Sequence, residues 1–252
     1  MDKTQTQVYN SLVELINQEV AERYIIDTCA TGQSFLTFRG VGLSQGLAKY
    51  NNLPIPRLRE SITNAQIFLD FLNEFHQVST SRIVLDELER KEIKERRFLS
   101  NYGISRERDR NGYKKSAEHS KQRKLFERLI NLESNATNIL RDRIVEPSKQ
   151  IQEIVIDSTR YNRNNENVND EIVVSDAINY ANSTKKGVAI ITRDFRFSLI
   201  LKLTQKALHK SYARQDLIKT LSEGNVSVIL GLREGFKLDY CSQDFINYQT
   251  SR

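Results

Sequence analysis

The feature that most constrains this chain is a repeated pairing of a short β-branched run with a carboxylate at its end. In N-D-E-I-V-V-S-D-A-I-N-Y-A, followed by Lys185-Lys186-Gly187 and V-A-I-I-T-R-D-F, an acid opens a helical stretch and another closes an apolar run. Val188 to Ile191 is too short and too β-branched for a helix, so it predicts a central buried strand presenting Thr192 and Asp194 at its C-terminal end. Tyr24-Ile25-Ile26-Asp27 repeats the pattern. A third place is Gln77 to Thr80, followed by S-R-I-V-L-D-E-L-E-R. Here Ser79, Thr80 or Ser81 can cap a helix with Ile83, Val84 and Leu88 on its apolar face, and Glu87 falls one turn beyond Ile83 and Val84. Carboxyl ends of strands are where α/β sheets hold ligands.

Carboxylates gathered at one sheet edge repel one another unless a counter-charge is supplied. Magnesium and manganese (Mg2+ or Mn2+) prefer oxygen ligands and bind through a few carboxylates plus substrate phosphate, which suits a cluster without His or Cys. The chemistry this favours is phosphodiester hydrolysis, in which one or two ions activate a water and stabilise the departing oxygen.

These words resemble those of the PIN-domain nuclease family. Y-I-I-D-T-C is similar to its first strand and first acid, and R-I-V-L-D-E-L-E-R to its glutamate-bearing helix. N-D-E-I-V-V-S-D-A-I resembles the third-acid helix, with Ala177 seven residues after Asp170, and V-A-I-I-T-R-D-F resembles the segment of the fourth acid. The N-D opening and the T-x-D ending look closest to the larger PIN domains of RNA-decay nucleases. The resemblance implies an α/β fold, a PIN-like parallel sheet with helices on both faces, built as one domain over residues 1–252. It also implies Asp27, Glu87, Asp170 and Asp194 as catalytic and metal-ligating residues, Thr192 supporting the last acid, Mg2+ or Mn2+ as cofactor, and single-stranded RNA as substrate. Three features depart from the family pattern. An N-terminal helical extension covers about 4–23, a charged helical insertion covers about 90–150, and Arg196 stands where some relatives carry a further acid. That arginine implies a weakly held second metal.

Each acid also has an ordinary structural reading. An aspartate after an apolar run is commonly a cap or turn residue, which applies to Asp27 and, as the cap of a helix starting at Glu171, to Asp170. Glu87 lies beside Asp86 and Glu89, as on a solvated helix face. Asp176 reads as a surface or hydrogen-bonded helix residue, and Asp157, after Ile154-Val155-Ile156, as a turn residue closing an edge strand. The loop G-V-G-L-S-Q-G at 40–46 has glycine spacing but no Lys-Ser/Thr ending, so it is no nucleotide loop. A phosphotransferase with an aspartate nucleophile would place a second Asp where Cys29 stands.

Two cysteines nearly the whole chain apart argue against a disulfide framework, and three histidines show no ligand spacing. No apolar run reaches the roughly 18–20 residues of a membrane helix. The polar N-terminus carries no signal core, so a cytoplasmic (intracellular) setting is expected.

The net charge of +6 is concentrated from Arg90 to Lys124, where Tyr102 and Tyr113 stand among the cations. Arg96, Arg97, Lys114, Lys115, Arg123 and Lys124 are the candidate nucleic-acid-binding residues: cations hold phosphates in a salt-sensitive way and tyrosines stack on bases. Interleaved acids and bases equally describe an exposed helix. Asn111-Gly112 predicts the turn of a helical hairpin, one arm ending near Tyr102 and the other running from about Ser116 to Arg143, with Leu125, Leu129, Leu132, Ala136, Ile139 and Leu140 at helical spacing. The asparagine-rich stretch 162–169 reads as a loop delivering Asp170. Phe197 to Leu221 reads as one or two amphipathic helices with Lys202, Lys206, Lys210 and Arg214 four apart, and a last strand is expected near Val226 to Leu230.

The expected activity is a metal-dependent endoribonuclease, with a homodimer and a regulatory protein partner both open. A non-catalytic nucleic-acid-binding scaffold of the same fold and a flap-type DNA nuclease, with the basic insertion as its arch, are the alternatives.

Overall fold

The computed structural model describes residues 3–30, 55–104, 113–160, 168–211, 214–232 and 235–241. The loop at 40–46, the turn at 111–112 and most of the asparagine-rich stretch lie outside them. The chain divides into two compact units, one formed by 1–30, 77–84 and 143–252 and the other by 31–76 and 85–142.

The first unit is α/β. Among the described residues its sheet has five strands, β1 (Arg23–Ile26), β2 (Val78–Thr80), β3 (Val188–Thr192), β4 (Val226–Gly231) and β5 (Phe236–Cys241), in the order β2-β1-β3-β4-β5. The first four pair in parallel, with Ile26 opposite both Thr80 and Ile191, and Thr192 opposite Leu230; β5 runs antiparallel to β4. Every residue of β3 and β4 is buried, as expected of parallel strands covered on both faces, and each buried Val or Ile contributes about 1.5–3 kcal/mol. A further parallel bridge joins Thr80 to Ile144, through Thr80 N–H to Arg143 O at 3.1 Å and Val145 N–H to Thr80 O at 2.9 Å. From β1 the chain adds β2 on one side and later β3 on the other. The strand order therefore reverses between β1 and β3, and in doubly wound sheets the ligand crevice opens at that point.

Among the described residues, six α-helices belong to or enter this unit: α1 (Lys3–Asn17), the start of α3 (Arg82–Ile104), α5 (Lys149–Thr159), α6 (Asn169–Thr184), α7 (Arg196–Ser211) and α8 (Gln215–Ser222). α6 packs on β3 and β4, α1 packs on β5, and α5 packs on α6 and α7. Ser81 opens α3 by accepting the Val84 N–H at 3.4 Å, which selects one of the three candidate caps.

Several expectations are corrected. α1 ends at Asn17, and Arg23 already belongs to β1. Ile154-Val155-Ile156 is helical, not an edge strand. Ser148 caps α5 through the Ile151 N–H, and the buried residues Ile151, Val155 and Thr159 recur every four positions, so tertiary burial overrides local β propensity. Asp157 accordingly sits inside a helix. Asp170 does not cap α6, because Val168 occupies the cap position without a side-chain bond and Asp170 lies in the first turn, where its charge complements the helix dipole. Arg214 lies between α7 and α8 and so does not continue the lysine row. β5 has no counterpart in the sequence reading; Gly231 permits its return, since a Cβ there would come within 2.7 Å of the Phe236 ring.

The second unit is helical: α2 (Ile55–Glu74), α3 from Leu85 onward and α4 (Tyr113–Arg141). α3 and α4 form the two arms expected on either side of Asn111-Gly112. Leu58 packs with Phe126 and Ile130, and Ile62 and Ala65 pack with Leu129, so the leucine stripe of α4 is its core face. Lys91 to Glu133 at 3.3 Å and Arg141 to Glu89 at 3.0 Å tie α3 to α4.

Candidate active site at the sheet edge

Three of the four candidate acids stand at or beside the carboxyl edge of β1 and β3. Asp27 is the first residue past β1; its N–H donates to Ile191 O at 3.0 Å, and its carbonyl accepts Ala30 N–H at 2.9 Å to start the tight turn Thr28–Ala30. That turn brings Cys29 back onto its own neighbour. The Cys29 thiol donates to Asp27 Oδ2 at 2.6 Å, and the Thr192 hydroxyl donates to the same oxygen at 3.1 Å. Thr192 also accepts the Asp194 N–H at 3.0 Å, so one hydroxyl at the end of β3 orients two acids. Asp194 in turn accepts the Arg196 N–H at 2.9 Å and thereby caps α7. Cys29 also accepts the Arg193 N–H at 3.1 Å and closes this network.

Asp170 enters from the first turn of α6. The Arg196 guanidinium reaches it at 3.2 Å (Nη1 to Oδ2) and holds Glu171 at 2.9 Å (Nη2 to Oε1). Glu171 is fully buried and accepts the Thr159 hydroxyl on Oε1 at 3.2 Å, while its Oε2 finds no hydrogen-bond partner among the described residues. Nothing in the sequence singled out Glu171. A glutamate in a first helical turn is ordinary, and only the packing of α5 and α7 around it makes it an internal anchor.

The electrostatics follow from this crowding. Burial holds the Asp27 carboxyl above its usual range, against the opposing hydrogen bonds from Cys29 and Thr192. Asp170 is raised to about 6, by burial first and then by the charge of Asp27; Arg196 pulls it down, and Asp194 and Glu171 push it up. Asp170 therefore feels the negative charges of Asp27, Asp194 and Glu171 together. Burial, and then the charge of Asp27, push the Cys29 thiol well above its ordinary range, which leaves it a hydrogen-bond donor rather than a nucleophile.

Glu87 lies on α3 in the second unit and is half-buried. Among the described residues, no three His, Cys, Asp or Glu side chains converge closely enough to enclose an ion. The donor chemistry nonetheless fits a hard divalent cation. Asp27, Asp170 and Asp194 offer only oxygen, Asp170 is raised by burial and then by its acidic neighbours, and Glu171 Oε2 is left orphaned, so Arg196 balances the local negative charge only in part.

Asp176, expected at a surface or hydrogen-bonded position, is instead fully buried within α6, and neither carboxylate oxygen closes a hydrogen bond among the described residues. Burial lifts it to about 7, with Gln152 and Ser175 near enough to oppose the shift.

The candidate nucleic-acid residues all belong to the second unit. Arg96 and Arg97 are exposed on α3, and Arg123 and Lys124 are exposed on α4, where Lys114 and Lys115 stand in the first turn. Arg96 pairs with Glu92 at 2.8 Å and Arg123 with Glu127 at 3.4 Å, both one turn away on the same helix. Such exposed pairs are worth about 0–1 kcal/mol, so a phosphate can compete for either arginine. No described helix is long and apolar enough to cross a membrane.

No protein-family model matches this chain, and no curated protein or solved structure matches it.

Proposed function

We propose that this chain is a PIN-like, Mg2+- or Mn2+-dependent endoribonuclease that hydrolyses phosphodiester bonds of single-stranded RNA. The observation that carries the reading is the gathering of acids where the strand order reverses: Asp27 and Asp194 share the Thr192 hydroxyl, and Asp170 stands in the first turn of α6 within range of the charge of both. Asp27, Asp170 and Asp194 would hold the ion. When bound, such an ion lowers the pKa of a water and stabilises the departing oxygen of a phosphodiester.

The remaining work falls to the chain's own residues. Thr192 and Cys29 fix the rotamer of Asp27, and the N-terminus of α7 fixes that of Asp194. Arg196 keeps Asp170 more acidic than its burial alone would allow, so that it is ionised at neutral pH. Because a ligating carboxylate must be deprotonated, ion affinity is expected to fall as pH drops through about 6, the value for Asp170.

The test is cleavage of unpaired RNA with Mn2+ by the wild type, Asp27→Asn and Asp194→Asn. Both variants are expected to fold, since asparagine also caps helices and a neutral side chain suits the buried position of Asp27. Loss of cleavage in both supports the assignment, and retained cleavage in both removes it. The part of Glu87 is measured separately with Glu87→Gln. The non-catalytic scaffold has one specific observation in its favour, the Arg196 guanidinium already seated against Asp170. It would bind RNA in a salt-sensitive way without Mn2+-dependent cleavage, and parallel assays on single-stranded and forked DNA cover the flap-type alternative.

A further inference from the structure

Phe195 stands between Asp194, which caps α7, and Arg196, which holds Asp170, and it is 73 % exposed. Phe197, two residues on, is fully buried, so the segment supplies its apolar anchor with Phe197 and leaves the other ring in water. Exposing most of a phenyl ring forgoes the stabilisation that burying it would supply, and Phe carries no polar atom that would favour water. The ring's backbone is not free to turn it inward: Asp194 N–H is held by Thr192, and Arg196 N–H is held by Asp194. A ring on a held backbone, one residue from Asp194, offers a ligand one thing, a π face. Leu199, four residues on and within α7, is 46 % exposed.

We propose that Phe195 is a base-stacking platform, on which an unpaired nucleobase of the substrate lies while the neighbouring phosphate reaches the acidic edge. This rests on the nuclease reading and adds to it a binding subsite. The occupant is a nucleobase rather than an apolar peptide, because Phe195 adjoins in the chain Asp194 of the acidic edge and Arg196, which holds Asp170, and a flat π ligand linked to phosphate suits both the exposed ring and the ion-binding edge. Stacking on aromatics is tolerant of sequence because every base has a π face.

The chain contains no tryptophan, so Phe195→Trp places a single indole at this position and its fluorescence reports on the surroundings of that residue alone. The probe is a short oligouridylate, titrated with chelator present so that nothing is cleaved, beside an abasic oligonucleotide of the same length and charge. The expected result is quenching by the oligouridylate and none by the abasic strand. Phe195→Ala is expected to weaken oligouridylate binding about 10-fold, and to raise KM more than it lowers kcat, with Phe195→Tyr restoring both. Equal response to the two strands, or unchanged affinity in Phe195→Ala, overturns the proposal even if Mn2+-dependent cleavage is intact. Emission that responds to protein concentration and not to RNA assigns the ring to a protein contact and also overturns it. Base-dependent quenching without any Mn2+-dependent cleavage keeps the stacking site and removes the nuclease reading.

Discussion

Arg196 Nη1 stands 3.2 Å from Asp170 Oδ2, while the other arm of the same guanidinium is held by a glutamate with no exposure. The fork geometry of arginine makes this double hold possible, whereas a lysine would supply a single point of charge. The result is an internal cation set against an edge otherwise made of acids. Arg196→Gln is therefore expected to cost about 1–3 kcal/mol, less than breaking a fully buried pair because Arg196 keeps about a third of its side chain in solvent. The carboxyl of Asp170 is expected to titrate above its present value of about 6, since the removed charge is the one that lowers it. Urea unfolding at neutral pH and carboxyl titration by NMR measure the two effects.

Thr192→Val keeps the shape of the β3 tip and removes one hydroxyl. The Asp194 N–H then loses its acceptor and Asp27 loses a donor, at an expected cost of about 1–3 kcal/mol. Thr192→Ser keeps the hydroxyl and should retain most of that stability. A chemical denaturation series gives the answer, and equal midpoints for the Val variant and the wild type would show that the hydroxyl orients nothing.

Asp176 makes stability depend on pH in a direction opposite to the usual carboxylate. Its folded value of about 7 lies above its unfolded value of 3.8, so between these the folded state binds more protons, and stability is lost as pH rises through that window. Asp176→Asn removes the need to bury a charge. It is expected to stabilise by about 1–3 kcal/mol near pH 8 and to change little below pH 4, where the wild-type carboxyl is largely protonated in the folded and unfolded states alike. Denaturation midpoints at the two pH values test this, and an equal shift at both would mean that Asp176 does not titrate there.

Cys29 is expected to resist thiol reagents at pH 8 in the folded protein, because burial and the charge of Asp27 disfavour its thiolate. Unfolding should release it, so counting reactive thiols before and after denaturant gives a direct check.

The strand tips were legible in the linear chain. Tyr24-Ile25-Ile26 and Val188 to Ile191 read as buried central strands, each ending in an acid, and the parallel pairing of β1 with β3 then carries Asp27 and Asp194 to the same edge. The leucine stripe of α4 was legible for the same reason, since helical periodicity is a local property. What the chain could not announce is anything made by contact between distant segments. Ile154-Val155-Ile156 is strand-like in isolation and becomes helical because α6 and α7 cover one face of it. Glu171 and Asp176 share a helix with Asp170, yet only the helices packed around them leave both without solvent. β5 exists because β4 offers an open edge to pair with. Arg196, two residues beyond Asp194, looks like a missing acid in the linear order and becomes the clamp of Asp170 only once α6 and α7 are packed together. Periodicity and β-branching are written along the chain, whereas burial, charge pairing and orphaned oxygens depend on which surfaces meet, and those were decided by the tertiary structure.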